Sequence, residues 1–274
     1  MRAPHPVVMA GLCLVLSGCG GGSSGNSPNT LPAPMIRESA VGQWGGTLNI
    51  SSGGARDFSG VVLDDGTFWF QYAIPGNAAV LGGVFVGNAS DMPRQFESNS
   101  LREYNFDGSS SGLATASGNY VPQQTLNGTL APAALIGLPA TPTATFATLY
   151  DSAYDLLPAT STLAGRYLGS GAFGPTSGFG APQFAPMQFT ADFTVMDNGD
   201  VSGIMTVSTG FPCPFTGDLS PRSTGNVYSI TLTFSPVCGG LPTYEGITFI
   251  DGNNVRVIAE EPGGTGAGVI ATRL

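Results

Sequence analysis

Lysine is absent from all 274 residues, histidine occurs once, at His5, and cysteine four times. Without lysine there is no amine for Schiff-base chemistry, and exposed strand edges lack one of their usual guards. A chain that sheds its first residues loses its one imidazole as well, which removes most acid–base and nucleophile-activating arrangements. Charged residues make up only 10% of the chain, whereas Gly reaches 41 and Pro 21. Strong formers of exposed helices are scarce, so the composition predicts a β-rich, turn-rich fold. The apolar run Val7–Leu16 is about ten residues long, and a membrane-spanning helix needs about 20.

That run follows Arg2 and ends in Leu16-Ser17-Gly18-Cys19. The arrangement resembles the lipobox of bacterial lipoproteins. The resemblance implies cleavage before Cys19 and acylation of its sulfur and its new amino group, with residues 1–18 as the discarded signal peptide. Several acyl chains together form a lasting membrane anchor, because each buried methylene adds about 0.8 kcal/mol. In that family an Asp after the cysteine is the common inner-membrane retention signal. Gly20 stands there instead, which implies the outer membrane, in either leaflet. Residues 19–40 are rich in Gly and Ser, then Pro, and read as a flexible tether.

Formal charge is −9, and loss of Arg2 with the leader brings it to −10. Such a body is repelled by polyphosphate, so no nucleic-acid partner is expected. Cys13 leaves with the leader and Cys19 takes lipid, leaving Cys213 and Cys238. An oxidising compartment is expected to join them, closing a loop that restricts the unfolded chain by about 3 kcal/mol. A zinc site is the rival reading, weakened by the lack of histidine.

Two segments begin alike: Gly42-Gln43-Trp44-Gly45-Gly46 and Gly165-Arg166-Tyr167-Leu168-Gly169. Each leads on to an apolar stretch and a tight turn, Asp64-Asp65-Gly66 and Asn198-Gly199, where glycine supplies the positive φ. The aromatics stand 123 residues apart and the turn glycines 133, so a duplication carries insertions. One insertion is expected at Phe173–Pro182, a Gly/Pro-rich loop. Period-two alternation gives about eight strands in 41–150 and eight in 165–274, with 151–164 as a connector holding a helical turn. The fold class expected is all-β: two tandem small antiparallel up-and-down barrels, with β-sandwiches as the alternative, since closure removes unguarded edges. The Gly-x-Trp-x-Gly opening followed by hairpins resembles lipocalin-like domains and the barrel lobes of transferrin-binding-protein-like lipoproteins. Cys213-Pro214-Phe215-Thr216-Gly217-Asp218-Leu219 with Cys238 is similar to uncharacterised proteobacterial lipoproteins, and this likeness implies a strand-to-strand disulfide bracketing a hairpin.

Candidate chemistry is thin. Gly108-Ser109-Ser110-Ser111-Gly112 matches a serine-hydrolase pattern but lacks a histidine base and a following helix. Gly169-Ser170-Gly171-Ala172-Phe173-Gly174 matches a dinucleotide pattern, yet Pro175 stands where a helix must begin. The carboxylate pairs Asp64/Asp65, Asp197/Asp200 and Glu260/Glu261 suit turns or opposite strand faces better than a glycosidase pair or a calcium loop. On one strand Phe68, Phe70 and Tyr72 share a face and Trp69 takes the other, where it either packs against the second domain or stacks on a sugar or a protein. No catalytic, cofactor or metal residues are assigned. The expected function is a non-enzymatic envelope lipoprotein, held to membrane by its N-terminal lipid and binding a protein, a glycan or a small apolar ligand. A structural spacer and a carboxylate-dependent hydrolase of glycans are the alternatives.

Overall fold

Alternating residues from Gly42 onward build antiparallel strands, and the computed structural model describes residues 39–274 except 52, 91, 109–111, 133–143, 177–184, 240 and 263. The leader, Cys19 and Ser109–Ser111 lie outside the described residues. In the first half the strands are β1 (Gly42–Ile50), β2 (Gly54–Val62), β3 (Thr67–Ile74), β4 (Asn77–Asn88), β5 (Gln95–Ser98), β6 (Arg102–Asn105), β7 (Leu113–Val121), β8 (Thr125–Pro132) and β9 (Ala144–Asp151). A 3-10 turn, Ser152–Asp155, and a helical turn, Thr160–Leu163, follow. The second half holds β10 (Gly165–Pro175), β11 (Met187–Val195), β12 (Asp200–Val207), β13 (Pro212–Pro221), β14 (Val227–Phe234), β15 (Tyr244–Asp251), β16 (Asn254–Glu261) and β17 (Thr265–Arg273).

The fold is all-β, and the second half is the expected closed eight-stranded meander, β10 pairing with β17. The first half differs from the expected barrel: it is a nine-stranded sheet in the order β5-β7-β8-β9-β1-β2-β3-β4-β6. The physical reason lies at its ends, where β5 and β6 are four residues each and do not pair with one another. Where a ladder would close the ring, the Glu103 carboxylate on β6 accepts the backbone N–H of Leu113 on β7 at 2.8 Å. Phe173–Pro175, expected in a loop, continue β10 and pair with Ala267–Thr265 of β17. Their Gly/Pro content reads as a loop, but the pairing sits at the barrel rim, where proline is tolerated.

The two opening motifs play the same part. Trp44 is fully buried and its Nε1 donates to the Ala40 carbonyl at 2.9 Å, and buried Tyr167 donates its hydroxyl to the Leu163 carbonyl at 2.7 Å. Each aromatic thus ties down the residue four places before it. Gly46 and Gly169 follow at the same spacing, and a methyl group at either would overlap a carbonyl oxygen of the closing strand, β9 or β17.

Phe68, Phe70 and Tyr72 point into the concave side of the sheet, a packed core with Trp44, Phe58 and Phe146. The convex side packs Val61, Val84 and Val86 against Val227, Ile258 and Ile270 on the outer wall of the barrel. Polar ties frame this layer: Gln43 Nε2 donates to the Ile250 carbonyl at 2.7 Å, and Arg256 pairs with Asp57 at 2.9 Å. All of these elements belong to one compact unit.

Candidate functional site

Inward-facing residues of the barrel are apolar at nearly every level, so the lumen fills with rings instead of water. An aromatic chain climbs through it: Tyr167 stacks on Phe193 with centroids 5.2 Å apart, and Phe215, Phe234 and Tyr244 follow at 5.8–6.4 Å. The lower end is stoppered by the connector. Leu163 is buried in the lumen core, and the Tyr228 hydroxyl accepts the Ala159 amide at 2.9 Å and donates to its carbonyl at 3.0 Å.

At the upper end an apolar cavity of about 40 Å³ remains between Phe189, Met205, Phe234, Leu241, Tyr244 and Val269. Tyr244 supplies the one polar side chain of that lining, and burial, with Glu261 nearby, pushes its phenol well above the ordinary value. Around the rim, Phe211 is 49% and Val237 62% exposed. The rim is stapled. Cys213 and Cys238 form a disulfide with Cα atoms 5.2 Å apart. Cys213 lies in β13 and Cys238 in the 3-10 turn Pro236–Cys238 after β14, so the bridge runs from strand to turn, not from strand to strand as the family likeness implied. The chain enters the fold at the other end, beside the β15–β16 turn, where Gln43 meets Ile250.

The other sequence candidates fall apart in space. Gly169–Gly174 is strand throughout, with no helix after it. Asp64 and Asp65 cap the β2–β3 turn and pair with Arg222 at 3.5 and 2.9 Å. Burial alone would raise the Asp65 carboxyl, yet hydrogen bonds from Thr67 and Arg222 hold it below the usual value. Asn198 donates to Asp200 at 2.8 Å, closing that turn on itself. Glu260 is gripped by Arg102 at 2.6 and 3.0 Å and by the Tyr104 hydroxyl at 2.8 Å. Sequence reasoning missed the buried cluster on the concave face, where Arg56 pairs with Asp107 and lies 5.4 Å from the centre of the Tyr72 ring. Burial and the carboxylates of Glu103 and Asp107 push the Tyr72 phenol well above its ordinary value, which keeps it a hydrogen-bond donor.

No family model matches the chain, and no curated protein matches it. Among solved structures, it is similar to a protein of unknown function from the DUF3598 family of Nostoc punctiforme. The two are 9% identical over 85% of this chain and 96% of that one, with a TM-score of 0.31. The Myxococcus xanthus hemagglutinin in complex with a3,a6-mannopentaose is 15% identical over 86% and 85%, with a TM-score of 0.17. Neither likeness bears on what this chain binds.

Proposed function

We propose that this protein is a non-enzymatic binding module of the bacterial envelope, tethered through lipid on Cys19 and taking the end of an apolar chain into the mouth of its barrel. One observation carries the reading: a lumen stoppered below by Leu163 and Tyr228 that keeps an apolar cavity beneath a disulfide-held rim. About 40 Å³ is far below the 300–1,000 Å³ of a site that engulfs a drug-sized ligand, so the mouth suits a terminal segment of a few carbons and not a whole cofactor. Among the described residues the lining is apolar apart from the Tyr244 phenol, which suits an apolar ligand.

N-octyl dansylamide, whose alkyl end enters the mouth while its fluorophore rests on the rim beside Phe211 and Val237, is expected to brighten on binding, with half-saturation in the range of about 1–100 μM, or about 5–8 kcal/mol. Ala267→Phe, which places a ring in the cavity, is expected to abolish the signal. Overpacking of this kind costs about 1–3 kcal/mol, so a retained thermal transition distinguishes a filled mouth from an unfolded barrel. Absence of brightening with folded wild-type protein sinks the reading. For the envelope address, Cys19→Ser is expected to move the protein from the membrane pellet to the soluble fraction, and wild-type protein recovered without lipid overturns it.

A further inference from the structure

Sheet and barrel meet along a layer that is closed by aliphatic side chains in its middle and opens at one side into a cleft of about 440 Å³. Its position follows from register. On the outer wall of the barrel, Thr231, Glu245 and Glu260 stand directly opposite one another on β14, β15 and β16. Side chains so placed are about 5 Å apart. Across the cleft the sheet contributes Trp69 and Thr67 of β3, and the turn after β13 contributes Arg222. Trp69 is the odd residue of its strand: its neighbours Phe68 and Phe70 are buried in the concave core, while its indole packs only partly against the interface layer and keeps part of its surface in the cleft.

The polar groups divide by availability. Glu260 is committed to Arg102 and Tyr104, and Asp64 and Asp65 are committed to Arg222. Glu245 is exposed, and its side chain makes no hydrogen bond or ion pair among the described residues. The hydroxyls of Ser229 and Thr231 border the same space, and the Arg222 guanidinium keeps its Nε donor unpartnered. The cleft therefore joins one apolar aromatic face to a carboxylate acceptor, two hydroxyls that both donate and accept, and a guanidinium donor. A simple cation has no use for the guanidinium, and an anion is repelled by Glu245. A ligand that is apolar on one face and carries donors and acceptors around its edge uses all of them. That is the surface of a pyranose ring, whose C–H face packs on an indole while its hydroxyls bond at the rim.

We propose that this cleft is a saccharide-binding site, with Trp69 as the stacking platform and Glu245 as the acceptor for ring hydroxyls. It lies on the outer wall of the barrel, apart from the cavity in the lumen, and the two linings share Ile230, a residue of the wall between them.

The two tryptophans make a direct readout. Trp44 is fully buried, so a saccharide changes emission through Trp69. Full-length folded protein is titrated with maltotetraose, cellotetraose and chitotetraose, following tryptophan emission and heat of binding. At least one is expected to saturate with Kd in the range of about 10 μM to 1 mM. Trp69→Ala is expected to weaken that sugar at least about tenfold, Trp69→Tyr to retain most of the affinity, and Glu245→Gln to weaken it severalfold, all three with a cooperative thermal transition retained above the assay temperature. The mouth variant Ala267→Phe is expected to leave sugar binding intact. Silence with all three sugars overturns the proposal. So does saturable quenching by tetramethylammonium alone, abolished by salt, which assigns the cleft to organic cations.

Discussion

Replacing Arg56 by Met is expected to destabilise the protein by about 3–5 kcal/mol, the range for breaking a buried ion pair from one side. The Arg56 side chain is almost wholly buried in the concave face of the nine-stranded sheet. It pairs with Asp107, approaches the Ala73 carbonyl at 3.5 Å and lies against the Tyr72 ring, which in turn reaches toward Glu103 and Asn105 at 3.4 and 3.5 Å. Deleting the guanidinium takes the Arg56 charge away from the neighbouring carboxylates of Asp107 and Glu103. Their repulsion acts at the gap that Glu103 spans by accepting the Leu113 amide. Urea unfolding followed by tryptophan emission measures the loss. The double variant Arg56→Met with Asp107→Asn is expected to recover part of it, because the second change removes one stranded charge. A single-variant loss below about 1 kcal/mol overturns this account of the cluster.

The disulfide is the second strong determinant. Converting Cys213 and Cys238 together to Ser is expected to cost about 3 kcal/mol, from a loop closed across 25 residues. For a body of this size that is a fall of roughly 6–12 °C in Tm. Reduction of the wild type is expected to match it, and a Tm indifferent to reductant refutes the estimate. The bridge has a local effect as well. It pins the turn carrying Val237 and Cys238 to β13, and Phe234 and Leu241 pack partly against the lumen core on either side of that turn. Weaker binding of the alkyl dansylamide probe after reduction, measured well below the lowered Tm, reports whether the staple shapes the mouth.

Much of this architecture can be read from alternation alone. All eight barrel strands appear as short apolar-alternating runs between Gly-containing turns, because each has one face in the lumen and one toward solvent or the sheet. The assignment of Phe68, Phe70 and Tyr72 to one face and Trp69 to the other follows from the same period. Closure is a different matter. Whether a sheet curls shut depends on the lengths and pairing of its terminal strands, and β5, four residues behind Pro93, gives no periodic signal. Phe173–Pro175 were hidden by composition, since a Gly/Pro run reads as a turn unless its partner strand is known. The Arg56 cluster joins residues some 50 positions apart whose charges look like ordinary surface in a linear reading. The cleft is harder still, because Trp69 and Glu245 come from different halves of the chain and meet only when sheet and barrel dock.

The closing pairs β1 with β9 and β10 with β17 each join the first and last strands of one half. Neither half borrows a strand from the other, so a polypeptide made N-terminus first can finish its leading sheet before its trailing residues emerge. Only the aliphatic layer must wait, with the Arg256–Asp57 and Arg102–Glu260 clasps that frame it. Until then the convex surface of Val61, Val84 and Val86 stands uncovered. The interval between the two arrivals is therefore the vulnerable moment in this protein's biogenesis, when a holdase has the most to protect.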